Sequence, residues 1–189
     1  LSHLPANCPE STVPMTATRC DLYVLFDRLG IKTTTLEHAA VYTVAESVEI
    51  ERALPGGHTK NLFLKDKKDR IYLVVAQNNA RIDLKALHKV IGSDRLSFGK
   101  AELLADVLGV KPGSVTPLSL INDSRGRVTV VLDKPMMDNE LLNFHPLENT
   151  ATTTIARDDL VRFIRATGHQ PQILQCSDGT VDSTAGSET

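Results

Sequence analysis

Two apolar runs, Thr59 to Lys65 and Arg70 to Ala76, flank the charged tetrapeptide Asp66-Lys67-Lys68-Asp69, and no other pattern constrains the chain as strongly. Runs of this length separated by a polar turn read as an antiparallel hairpin. A sheet therefore lies at the centre of the fold. Around it the apolar spacing is helical: Leu22, Leu25, Phe26 and Leu29 recur before Gly30, which predicts a helix over 18–29 closed by a glycine. Thr33 to Leu36 is extended. Thr43-Val44-Ala45-Glu46 has the form of a capping box, opening a helix that runs to about Leu54 and stops at Pro55-Gly56-Gly57.

Asp83 caps a helix carrying Leu84, Leu87 and Ile91, and the strand Arg95 to Phe98 leads into a helix from Lys100 to Leu108. Leu118 to Ile121 is expected as a strand that turns at Asn122-Asp123-Ser124-Arg125-Gly126 into the strand Arg127 to Leu132, a further hairpin. A helical turn near Pro135 to Glu140 precedes strands at Asn143 to His145 and Thr150 to Ile155, and a last helix covers Arg157 to Thr167. Strands that come as hairpins among helices argue for an α+β fold with a mixed sheet.

The chain has 189 residues, enough for one domain with a sizeable core. We expect an N-terminal extension over 1–15, the domain over 16–175, and a disordered Ser/Thr/Gly-rich tail over 176–189. The formal charge of −2 excludes a generally basic surface, so nucleic-acid binding requires a local cluster such as Lys65, Lys67, Lys68 and Arg70, which Asp66 and Asp69 dilute. Cys8, Cys20 and Cys176 have no CxxC spacing and are expected as reduced thiols. With no apolar run long enough to span a bilayer and no secretory pattern, the expected location is cytoplasmic, without membrane contact.

There is no GxGxxG, P-loop, GxSxG, HExxH or paired Cys/His spacing, so no cofactor and no metal is expected. Three polar segments stand out instead. In His58-Thr59-Lys60-Asn61-Leu62-Phe63-Leu64, alternation sends Lys60, Leu62 and Leu64 to one face and Asn61 and Phe63 to the other. Lys60 there suits either a phosphate or a snorkelling strand end. Gly113-Ser114-Val115-Thr116-Pro117 is either a loop that lets backbone approach a ligand or a plain connector. In Asn143-Phe144-His145-Pro146, His145 is a general base, a pocket wall or a structural histidine, and the following threonines read equally as an edge strand.

Together, Thr59-Lys60-Asn61-Leu62-Phe63-Leu64, Gly113 to Asp123, and Phe144-His145-Pro146-Leu147 with Asn149-Thr150 resemble the YbaK/prolyl-tRNA-synthetase-associated editing family, closest to its free-standing Ala-tRNA(Pro) deacylases. The resemblance spans about Thr18 to Leu174. It implies a mixed, partly barrel-like sheet wrapped by helices, and a cofactor-free hydrolase that removes alanine from mischarged tRNA(Pro) by water attack. It implies catalytic roles for Lys60, His145 and Gly113, substrate contacts from Asn61, Pro117, Ser119, Asn149, Thr150, Val41 and Thr43, and tRNA contacts from Lys60, Arg95, Lys65 and Lys67. Glu37 to Glu46 resembles the family's flap over the site, with Ala39 and Ala40 where proline is more usual. The implied partner is the tRNA(Pro) acceptor stem, with prolyl-tRNA synthetase as a second partner and no DNA. Two alternatives stand beside it: a non-catalytic tRNA- or synthetase-associated binding module, and a deacylase for another small residue such as cysteine or serine.

Overall fold

A computed structural model describes residues 16–40 and 44–178. Helix α1 (Arg19–Leu29) starts where Thr18 and Asp21 exchange side-chain and backbone hydrogen bonds, and it ends at Gly30 with φ 65°, the left-handed conformation that glycine adopts without strain. The remaining elements are β1 (Thr33–Glu37), α2 (Val44–Ala53), β2 (Gly57–Lys65), β3 (Ile71–Gln77), α3 (Leu84–Ile91), β4 (Ser97–Phe98), α4 (Ala101–Leu108), β5 (Val128–Asp133), β6 (Leu141–Phe144), β7 (Ala151–Ala156), α5 (Arg157–Ala166) and β8 (Gln172–Leu174). Thr43, expected to cap α2, lies outside the described residues.

The fold is α+β with a mixed eight-stranded sheet, in the order β1-β7-β6-β2-β3-β5-β8, with β4 also on β2. The path is open rather than closed into a barrel. Strands β2 and β3 form the expected hairpin, while β5 runs parallel to β3 and β8 parallel to β5. Strand β2 joins two sub-sheets: only Gly57 and His58 pair with β6, opposite Leu142 and Asn143, whereas Leu64 and Lys65 pair with β4. Between those ends, one edge of β2 has neither partner strand.

Helices cover both faces of the sheet. Phe63, Leu73, Val75, Val130 and Leu132 pack with Leu22 and Phe26 of α1, Leu104 and Leu108 of α4, and Leu160 and Phe163 of α5. On the opposite face Leu64, Tyr72, Val74 and Val131 pack with Leu87 of α3. The period-two alternation of β2 and β3 thus feeds two apolar layers, which is why β3 is buried almost throughout.

Three expectations are corrected. Leu118 to Ile121 is not a strand but part of the 3-10 turn Pro117–Asn122. The Thr116 hydroxyl accepts from the Leu118 amide, and Pro117 occupies the first helical position, where a missing N–H leaves no bond unmade. The threonine run is not an edge strand: β7 lies between β1 and β6. Cys20 is disulfide-bonded rather than reduced.

The segment after β8 starts inside the fold. Asp133 is fully buried and accepts hydrogen bonds from the amides of Cys176 and Ser177 at 2.8 and 3.1 Å, and from the Ser177 hydroxyl at 2.8 Å. Burial, and the charge of Asp133, push the free Cys176 thiol up to about 12, so it stays protonated and unreactive at neutral pH.

Candidate active site

Where β6 and β2 diverge, a cavity of about 290 Å³ opens between the two sub-sheets. His58, Thr59 and Asn61 reach it from β2, Asn78 from the end of β3, Asn143, Phe144 and His145 from β6 and its end, and Thr152 from β7. Gly113 comes from the loop after α4, His38 follows β1, and Ile50 and Glu51 belong to α2. Asn61, Gly113 and His145, one from each of the three polar sequence segments, therefore share one wall system.

Asn143 holds this region together. It is 4% exposed. Its amide Nδ2 donates to the Pro55 carbonyl at 2.9 Å and to the Gly57 carbonyl at 3.4 Å, and its Oδ1 accepts from the Thr154 hydroxyl at 2.6 Å. Its own carbonyl accepts from the Thr59 hydroxyl at 2.8 Å. One side chain thereby binds β6 to β7 and to the turn between α2 and β2. The neighbouring threonines are satisfied in the same way: Thr153 bonds Thr35 at 2.8 Å and Thr152 bonds His38 Nε2 at 2.9 Å. Buried hydroxyls here replace the apolar residues of an ordinary core strand because each has a partner.

His145 Nδ1 lies 3.0 Å from the Ala151 carbonyl. A carbonyl only accepts, so Nδ1 carries the proton and Nε2 keeps its lone pair. Burial holds the imidazole below the ordinary histidine range, against the opposing pull of the Ala151 bond, and the adjacent His38 adds to the lowering. His145 is thus a neutral acceptor at pH 7, with the His38 ring 6.3 Å away. Gly113 has φ 90°, and nothing lies within 4 Å of where a side chain would project. Among the described residues, two buried polar atoms of the lining have no partner, Asn61 Oδ1 and His58 Nε2, and such atoms in a cavity mark where a ligand or water completes the bonding.

Other sequence-predicted residues stand elsewhere. Lys60 lies on the opposite side of β2 from Asn61, as its alternation implied, and its ammonium donates to the Ala80 carbonyl, beyond the Asn78 rim. Pro117 and Ser119 are buried behind the Gly113 loop, the Ser119 hydroxyl donating to the Thr116 carbonyl at 2.5 Å. They shape that loop rather than line the cavity. Asn149 and Thr150 sit in the turn between β6 and β7, where the Thr150 carbonyl accepts from the His38 amide at 2.9 Å. Lys65 pairs with Asp69 at 2.6 Å and stands roughly 13 Å beyond Asn61 along the strand, at ~3.3 Å per residue. Lys67 and Arg95 are exposed near that end of the hairpin. Val41 and Thr43 lie outside the described residues. Of the cavity residues, Ile50, Glu51 and Asn78 were not anticipated, since no local motif marks them.

Among the described residues no group of three or more His, Cys, Asp or Glu side chains is placed to hold a metal ion, and no helix is long and apolar enough to cross a membrane. The fold and its cleft define the chain as a small α+β domain with a polar cavity at the junction of two sub-sheets. The chain belongs to the aminoacyl-tRNA editing domain family, whose model matches residues 38–163. It is 40% identical over 158 residues to a zebrafish (Danio rerio) prolyl-tRNA synthetase associated domain-containing protein 1, covering 82% of this chain and 86% of that protein. It is 39% identical over 144 residues to the prolyl-tRNA editing protein ProX of Acetoanaerobium sticklandii, covering 76% of this chain and 88% of the relative. A solved structure described as a candidate trans-editing enzyme for prolyl tRNA synthetase shares the fold, with TM-score 0.60, 20% identity, and coverage of 78% and 87%.

Proposed function

We propose that this protein is a free-standing hydrolase that removes alanine from mischarged tRNA(Pro). The observation that carries this reading is the convergence of Asn61, Gly113 and His145 on one cavity of about 290 Å³. That volume lies just below the roughly 300–1,000 Å³ range of small-molecule sites, room for an aminoacyl group. The relative named as a prolyl-tRNA editing protein supports proline tRNA as the carrier.

An aminoacyl ester is already activated, so the site needs only to orient it and stabilise the developing oxyanion. Water attacks the carbonyl carbon, aided by a ribose hydroxyl of the terminal adenosine, and the ester oxygen leaves with a proton. The Gly113 backbone packs against the aminoacyl group where a side chain would intrude. His145 Nε2 accepts a hydrogen bond from the water or ribose, and Asn61 supplies the adjacent amide. Lys60 serves a phosphate at the rim, exchanging its Ala80 carbonyl for the tRNA backbone. Lys65, Lys67 and Arg95 face the acceptor stem farther out. Exclusion by volume separates alanine from the cognate proline ring, a discrimination that affinity for extra methylenes cannot supply.

Single-turnover deacylation of Ala-tRNA(Pro), Cys-tRNA(Pro) and Pro-tRNA(Pro), with Lys60→Ala alongside, tests the reading. Rapid loss of alanine alone, slowed on the order of a hundredfold in Lys60→Ala (about 2.7 kcal/mol), is expected. Hydrolysis of the cysteinyl ester in preference would reassign the substrate. Tight tRNA binding without hydrolysis would make the chain a binding module.

A further inference from the structure

Among the described residues that line the cavity, Glu51 is the one carboxylate, and no lysine or arginine is among them. Glu51 lies on α2, and Asn78 Nδ2 donates to its Oε1 at 2.8 Å. The amide fixes the carboxylate across the cavity mouth, while Oε2 has no hydrogen-bond partner among the described residues. The surrounding polar atoms add to the same sign: His145 Nε2 holds a lone pair, and Asn61 Oδ1 is buried without a partner. Among the described residues, a lining that holds a carboxylate together with the acceptor atoms His145 Nε2 and Asn61 Oδ1 disfavours a phosphate or a free carboxylate beside them. It favours a compact cation with several N–H donors.

We propose that Glu51 is a specificity-determining residue that recognises the protonated α-amino group of an aminoacyl ester, with Asn61 Oδ1 as a second acceptor. The inference rests on the editing reading above and names the substrate group that α2 reads. An α-amino group titrates at about 7.7–8.0 in unperturbed chains, so it is largely an ammonium at neutral pH, with three donors to distribute among these acceptors. The same charge repels the carboxylate of the released amino acid, so hydrolysis turns an attracted substrate into a product that leaves.

Lactyl-tRNA(Pro) is the matching probe, because it replaces the ammonium of Ala-tRNA(Pro) with a hydroxyl of nearly equal size. Single-turnover rates for both esters, each divided by its uncatalysed rate, are compared for the unaltered protein and for Glu51→Gln, which keeps the shape and an oxygen for Asn78. The expected result is a preference for alanyl over lactyl ester on the order of tenfold or more, the weight of a charge-assisted hydrogen bond. In Glu51→Gln this preference collapses toward one, through slower alanyl hydrolysis with the lactyl rate unchanged. Equal normalised rates in the unaltered protein, or a variant that slows both esters alike, overturns the inference and leaves the editing reading standing. If the unaltered protein hydrolyses neither ester, the editing reading fails and this inference falls with it.

Discussion

Replacing Asn143 by alanine removes the two donors to the Pro55 and Gly57 carbonyls and the acceptor of the Thr154 hydroxyl. Gly57 retains its pairing with β6 and Pro55 is exposed, so its carbonyl can turn to water; the one buried group left without a partner is the Thr154 hydroxyl. A stranded buried hydroxyl costs about 1–3 kcal/mol, from a total that for a domain is typically about 5–15 kcal/mol. With a urea m-value of ~2 kcal/mol/M, the unfolding midpoint falls by about 0.5–1.5 M. The double variant Asn143→Ala/Thr154→Val removes both members of one bond, and its cost should undercut the sum of the single costs by about 1–2 kcal/mol. A midpoint shift corresponding to less than about 1 kcal/mol for Asn143→Ala, or additivity of the pair within ~0.5 kcal/mol, would refute the role assigned to this side chain.

Gly113→Ala places a Cβ at φ 90° with no atom within 4 Å. The left-handed strain costs about 1–2 kcal/mol, visible as a modest drop in thermal midpoint, and the deacylation rate should fall further because the methyl intrudes on the aminoacyl group. For His145 the folded-state pKa is depressed by burial. The unfolded chain therefore takes up a proton near 6.5 while the native imidazole remains neutral. Its contribution to stability is complete above that value and is lost as pH falls through the folded-state pKa. Urea midpoints measured between about pH 7.5 and 5.5 should fall less in His145→Asn than in the unaltered protein; equal slopes would contradict a buried neutral imidazole.

The hairpin of β2 and β3 was legible because its apolar runs and charged turn are local, and α1 and α3 because Thr18, Asp83 and the following glycines declare their ends. Even the face on which Lys60 lies followed from strand alternation. Leu118 to Ile121 misled because a short apolar run has no period of its own; the Thr116 cap and Pro117 decide in favour of a turn. Strand β8 is three residues long with two of them exposed, so it carries too little apolar pattern to be seen. Within the site, Asn61, Gly113 and His145 were found through polar residues in strand-like or tight-loop settings. Glu51 and Asn78 were not, because each looks like an ordinary surface residue until packing brings α2 against the end of β3.

The two-rung seam between β2 and β6, Gly57 with Leu142 and His58 with Asn143, gives the site an unusual dependence on backbone chemistry. Asn61 belongs to one sub-sheet and His145 follows β6 of the other, and among the described residues the junction between them is narrower than any other strand pairing except that of β4 with β2. Amide protons at this junction should exchange with solvent through a local opening of lower free energy than global unfolding. The exchange rate at Gly57 and His58 then reports how often the site is disassembled, and a substitution far from the cavity that loosens the seam would slow turnover while every lining side chain remained in place.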